Sequence, residues 1–173
     1  MAKRKKSKGI STLSLILVLV MIVGAALAFT GLFLDWTTST TNVIVGSLES
    51  NSTLQDWADL NESMNKLDSE VKYFVMTNLF AWISAAAVAA AAVLFILKLV
   101  IRLKLLGIIG GVAGIIGLVC GILAIVFTVL MGNEYSAGNE TLGNAVAPAI
   151  GCYLLMAGGI LGGGAAIGAA VKS

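Results

Sequence analysis

The stretch "GIIGGVAGIIGLVCGILAIVF", Gly107 to Phe127, decides how this chain folds. It carries no charge, and a glycine recurs every three or four residues. In water each of these glycines would cost a helix about 1 kcal/mol relative to alanine. In lipid the balance differs. Helices gain little there from hydrophobic association, and small residues let their backbones approach closely. The stretch lacks the Lys-Ser/Thr ending of a phosphate loop, and no strand followed by a polar helix start surrounds it. It reads as a membrane-spanning helix with a packing face. Gly107/Gly111, Gly110/Gly114 and Gly117/Gly121 are G-x-x-x-G pairs. Near the C-terminus Gly158/Gly162, Gly159/Gly163 and Gly164/Gly168 repeat the pattern, and "SAAAVAAAAV" offers an alanine face. These faces are expected to pack against one another within one bundle, with contact between copies as the alternative.

The rest of the chain agrees. Of 173 residues, 58% are hydrophobic and 12% charged, against about a quarter charged in soluble domains, and the mean hydropathy is +0.99. Four apolar runs reach the roughly 20 residues that cross about 30 Å of hydrocarbon: residues 10–34, 73–97, 105–131 and 146–171. The first run follows "AKRKKSK" and contains "AALA", a small-residue stretch that resembles a signal-peptide cleavage site after Ala28. It stays apolar for longer than a signal core, so it is expected to be retained as a span.

Charge sets the expected orientation. Lys3, Arg4, Lys5, Lys6, Lys8, Lys98, Arg102, Lys104 and Lys172 fall on one side of the four spans, with no acid among them. All nine acids, from Asp35 to Glu140, fall on the other side with only Lys66 and Lys72. The positive-inside rule then places residues 1–9, 98–104 and 172–173 in the cytoplasm, giving a multi-pass protein of the cell membrane with both termini inside. The basic N-terminus reads as a topology anchor attracted to anionic lipid, so nucleic acid is not an expected partner. The loop 98–104, "KLVIRLK", reads as a brief amphipathic turn whose bases snorkel to headgroups.

The outer side is expected to carry a long loop, 35–72, and a short one, 132–145. "WTTSTTNVIV", Trp36 to Val45, is rich in Thr and Val and reads as a strand-like segment ended by Gly46. Leu54, Trp57, Leu60, Met64, Leu67, Val71 and Phe74 then recur at helical spacing. Ser52 and Gln55 are placed for a capping box, and Glu62 sits four residues before Lys66, the favourable order for an ion pair. With no Gly or Pro to interrupt it, this helix, about 53–72, is expected to run unbroken into the second span. Its apolar stripe must be covered, either by the Thr-rich segment and the short loop or by a partner. Leu54, Trp57, Leu60, Met64 and Leu67 are thus the candidate contact residues. The sequons at Asn51, Asn61 and Asn139 fall on this side and are candidate glycosylation sites. Trp36, Trp57, Tyr73, Trp82 and Tyr135 read as a belt at headgroup level.

Chemistry is sparse. The chain has no His, and its two cysteines, Cys120 and Cys152, lie in apolar runs as small hydrophobes. No ionisable residue lies in the apolar part of a span, where proton relays, ion-coupled transporters and voltage sensors place theirs. Asn78, near the outer end of the second span, reads as a hydrogen-bonding contact to a neighbouring helix. No catalytic residue, metal site, cofactor or small-molecule substrate is expected.

The layout resembles the claudin and peripheral-myelin-protein superfamily: four spans, cytoplasmic termini, a long first outer loop and a short second one. "GLFLDW", Gly31 to Trp36, is similar to the first part of that family's loop element, while the cysteine pair that follows in the family is absent here. Small prokaryotic four-span proteins with a "G-x-F-L-P-W"-like element look similar too. The resemblance implies lateral self-association or surface contact and no catalytic residue. The expected fold is therefore an all-α, four-helix transmembrane bundle with a small ectodomain. Its expected role is a non-enzymatic scaffold or surface-contact component, partnered by membrane lipids and by copies of itself or other membrane proteins. An accessory subunit of a larger membrane complex and an oligomeric channel are the alternatives.

Overall fold

The computed structural model describes residues 12–43, 46–66, 71, 73–101, 103–137 and 145–172. They form α1 (Thr12–Phe33), β1 (Asp35–Val43), β2 (Gly46–Thr53), α2 (Leu54–Asn65), α3 (Phe74–Ile101), α4 (Lys104–Ala137), β3 (Ala145–Pro148) and α5 (Ile150–Val171). The protein is mostly helical, and α1, α3, α4 and α5 are each long and apolar enough to cross a membrane. The outward faces of these helices expose Leu19, Val75, Val112 and Ile115, among many other large aliphatics. Such a surface is poorly matched to water and consistent with a multi-pass membrane protein.

Residue pairings give the bundle its directions. Gly31 lies against Gly151 and Gly24 against Gly162, so α1 and α5 are antiparallel. Gly110 meets Phe95 and Gly117 meets Val88, so α3 and α4 are antiparallel. Gly114 meets Gly163 and Gly121 meets Gly159, which makes α4 and α5 antiparallel as well. Four alternating helices bring Thr12 and Val171 to the same end. Lys98, Lys104 and Lys172 lie at that end, while β1, β2, β3 and α2 sit at the other.

The sheet has the order β2-β1-β3 with both pairings antiparallel. The Thr-rich composition of β1 suits a pleated, half-covered surface. A bulge between Asp35 and Thr37 leaves Trp36 out of the ladder. The Trp36 carbonyl instead accepts the Ala149 N–H at 2.8 Å, which ties the sheet to the start of α5.

Several expectations from the sequence are corrected here. The fold is not purely helical. The strand-like segment does end before Gly46, at Val43, but Gly46 then opens a second strand that was not expected, and Val146 belongs to β3, so the last helix starts at Ile150 and not at 146. The Val146 N–H is held by Ser136 Oγ at 3.1 Å and Pro148 has no N–H to give, so neither enters a helical ladder. The helix expected over 53–72 does not run into the second span. α2 stops at Asn65, and the chain turns before Phe74 with Tyr73 at φ 65°. The Val71 N–H is bound by Asn61 Oδ1 at 3.0 Å, a turn contact that competes with helical continuation. The capping box is made by Thr53 and Asp56, one residue on from Ser52 and Gln55. An Asp at this position reaches back to the Thr53 N–H at 2.7 Å. The turn expected at 98–104 is mostly helix, since α3 runs to Ile101 and α4 begins at Lys104. α4 also continues past residue 131 to Ala137, shortening the second loop.

Candidate functional site

The sheet, α2 and the adjoining helix ends form a cap on the bundle, and buried polar contacts fix it there. Trp36 is fully buried, and its Nε1–H donates to Thr128 Oγ1 of α4 at 3.1 Å. The Thr128 hydroxyl donates to the Ala124 carbonyl at 2.7 Å, and Cys152 of α5 approaches the same oxygen at 3.6 Å. One threonine thus links β1, α4 and α5. Trp57 is also buried, and its Nε1–H donates to Thr37 Oγ1 at 2.7 Å. Its ring meets Tyr135 of α4 edge-on at 5.4 Å. Trp36 and Trp57 are therefore core anchors rather than headgroup-level residues. Trp82 and Phe33 are exposed at the rim and meet edge-on at 6.3 Å.

The stripe of α2 turns inward. Leu54 and Trp57 are buried, while Leu60 and Met64 are half-buried against the same cluster as Trp36, Phe74 and Met131. Leu67 lies outside the described residues. Within the chain, the stripe is covered by the sheet and the ends of α3 and α4. The Glu62–Lys66 ion pair is present at 3.1 Å on the exposed face, where it contributes only a few tenths of a kcal/mol, about 0.3–0.5.

What the cap leaves open is an edge. β3 pairs with β1 only from Thr37 to Thr40, and its outer side is closed by Ser136 and Gly132 of α4. The β1–β2 hairpin continues to the pair Val43–Gly46, beyond the reach of β3. On β2, Ser47 to Asn51 are all exposed, and Leu48 is 64% accessible. A strand edge of this kind presents unpaired backbone groups to a neighbour.

Of the sequons, Asn51 is exposed, but its Nδ2 donates to Asp35 Oδ2 at 3.0 Å and its Oδ1 accepts from Thr38. Asn61 is half-buried and holds the turn at Val71. Asn139 lies outside the described residues.

Most of the glycines of the spans face inward between helices. A Cβ on Gly24 would lie 2.5 Å from the Gly162 nitrogen, and one on Gly158 would lie 2.5 Å from the Ala28 nitrogen. Only glycine permits this α1–α5 approach. Gly114 sits against Ala166 and Gly163, Gly111 against Ala170, Gly110 against Phe95, Gly117 against Val88 and Gly121 against Ser84. Gly107 is buried near the start of α4. Ser84 Oγ donates to the Gly117 carbonyl at 2.8 Å, a hydrogen bond between spans that the glycine leaves room for. Gly24, Gly31 and Gly151, which the sequence reading passed over, belong to the same contacts. Their signal in the sequence was weak, because Gly24 and Gly31 stand seven apart, as do Gly151 and Gly158, so none of the three forms a G-x-x-x-G pair.

Among the described residues no group of three His, Cys, Asp or Glu side chains is placed to hold a metal. Comparison with protein-family models, with curated proteins and with solved structures gives no match.

Proposed function

We propose that the chain is a non-enzymatic membrane component that makes contacts through its cap, with the cap on the outer side of the membrane and both termini in the cytoplasm. The observation that carries this is the open β2 edge on a cap otherwise locked to its bundle. The contact surface is rigid and ready to pair, as in recognition by strand addition. Orientation rests on charge, since the end opposite the cap carries Lys98, Lys104 and Lys172 and no acid. The resemblance in layout to the claudin and peripheral-myelin-protein superfamily supports the same role. The test is purification in mild detergent with masses measured for everything retained. A self-assembly or partner complex that Ser50→Pro on the edge strand disperses is the expected result. A strictly monomeric protein with nothing co-purifying would count decisively against it.

One observation favours the accessory-subunit reading as a second. Gly164 of α5 is exposed with nothing within 4 Å, unlike the glycines packed inside. A helix of another membrane protein fits closely against such a point. Stoichiometric co-purification with an active complex, lost on Gly164→Leu, would identify this role.

A further inference from the structure

We infer that a cleft at the rim of the cap is a binding site for one lipid with an ammonium-bearing headgroup. The cleft lies where the end of α1, the start of α2 and the first turns of α3 meet, and its volume is about 180 Å³. Its chemistry is ordered along the helix axis. Gln55 and Asn78 line it on the cap side, while Phe33 and Trp82 line it further into the bundle. Asn78 and Trp82 are one helical turn apart on α3, about 6 Å. Leu32 and Leu54 close the inner wall. Phe33 is the last residue of α1, so the cleft straddles the boundary between cap and apolar span.

That order matches a membrane lipid at its interface: polar head, ester junction, then chain. The Asn78 amide and the Trp82 indole N–H are donors suited to ester oxygens. Phe33 and Trp82 are exposed and adjoin the apolar outer surface of the spans, where an acyl chain has somewhere to go.

Charge selects the headgroup. Among the described residues no base lines the cleft. Gln55 Nε2 donates to Asp59 Oδ1 at 3.2 Å, which commits its amide nitrogen to an acid. Asp56 follows Gln55 directly, and Asp35 is two residues from Phe33. Lys66, the base described on α2, is at the far end of that helix and paired with Glu62. An anionic head finds no described base here, while an ammonium group has the Asp56 and Asp59 carboxylates close by, held by Thr53 and Gln55 of the lining.

The test uses the full chain in nanodiscs containing phosphatidylethanolamine and phosphatidylglycerol in equal amounts. Retained lipid is identified by native mass spectrometry. One phosphatidylethanolamine should be kept in at least threefold excess over phosphatidylglycerol. Asn78→Leu with Trp82→Ala should abolish that excess. Gln55 is exposed, so Gln55→Lys is expected to fold normally and should reverse the preference. Equal retention of both lipids by the native chain would overturn the proposal. So would a preference unchanged in Gln55→Lys, or a second copy of the chain in place of lipid.

Discussion

The indole N–H of Trp36 donates to the hydroxyl of Thr128 across 92 residues of sequence, with both side chains excluded from solvent. The Thr128 hydroxyl in turn donates a hydrogen bond to the Ala124 carbonyl, so every member of this chain is satisfied. Removing the acceptor leaves a buried donor without a partner, which costs about 1–3 kcal/mol. Thr128→Val should therefore lower the thermal midpoint of the detergent-solubilised protein by several degrees. Trp36→Phe removes the donor instead. The double variant should be less destabilised than the two single changes added together, with a coupling of about 1 kcal/mol. Strict additivity would mean that the hydrogen bond contributes nothing.

The glycines separate into two classes that one substitution distinguishes. At Gly24 and Gly158 an added methyl meets backbone atoms of the facing helix, which cannot swing aside. Gly24→Ala and Gly158→Ala should each destabilise by about 1–3 kcal/mol through overpacking. Gly164 has open space around it, and alanine is the better helix former by about 1 kcal/mol. Gly164→Ala should leave the isolated protein unchanged or slightly more stable. Gly114, against Ala166 and Gly163, belongs with the first class, and Gly114→Leu should loosen the bundle visibly in the same thermal assay.

The four spans were legible from the sequence because hydrophobic length and charge asymmetry are properties of single segments. Glycine pairs in the third and fourth runs were legible for the same reason. The cap was not. Ser47 to Asn51 carry little hydrophobic alternation, so β2 becomes a strand only when β1 is beside it. Val146 is as apolar as a span residue and is drawn into the sheet by Ser136 and Thr37 to Thr40. The break after α2 hides in a tyrosine, Tyr73, held at positive φ with its ring near Phe127. Nothing in the spacing of Leu60, Met64 and Val71 announces it. Trp36 and Trp57 have the residue type of a headgroup belt, and only the partners Thr128 and Thr37 show them to be buried anchors.

The start of α2 gives a pH dependence with a definite sign. Asp56 accepts from the Thr53 backbone N–H and hydroxyl, and these bonds hold its carboxyl below the ordinary 3.8. A depressed folded-state pKa stabilises the ionised, folded form. That contribution is complete above about pH 3.8 and is lost as pH falls through the lower folded value. Acidification from pH 5 to pH 3 should lower the amide-exchange protection factors, taken relative to the intrinsic rate at each pH, in Leu54 to Asn65 before it affects the spans. Thr53→Ala should raise exchange there at neutral pH, costing the helix about 1 kcal/mol. It should also flatten the acid response. An unchanged acid response in Thr53→Ala would detach the effect from this cap.

Thr77 offers a substitution of the opposite sign. It is fully buried in α3, and among the described residues its Oγ1 is the buried side-chain polar atom without a hydrogen-bond partner. A hydroxyl in that condition has lost its solvation without replacement, at a cost of about 1–3 kcal/mol. Valine has nearly the same shape and carries no polar atom. Thr77→Val should raise the thermal midpoint, whereas Thr128→Val, the same change on α4 but with a satisfied hydroxyl, should lower it. Measuring both in one detergent isolates hydrogen-bond status from side-chain shape. A fall in stability for Thr77→Val would reveal a partner for the hydroxyl, such as a buried water with its own bonds to α3.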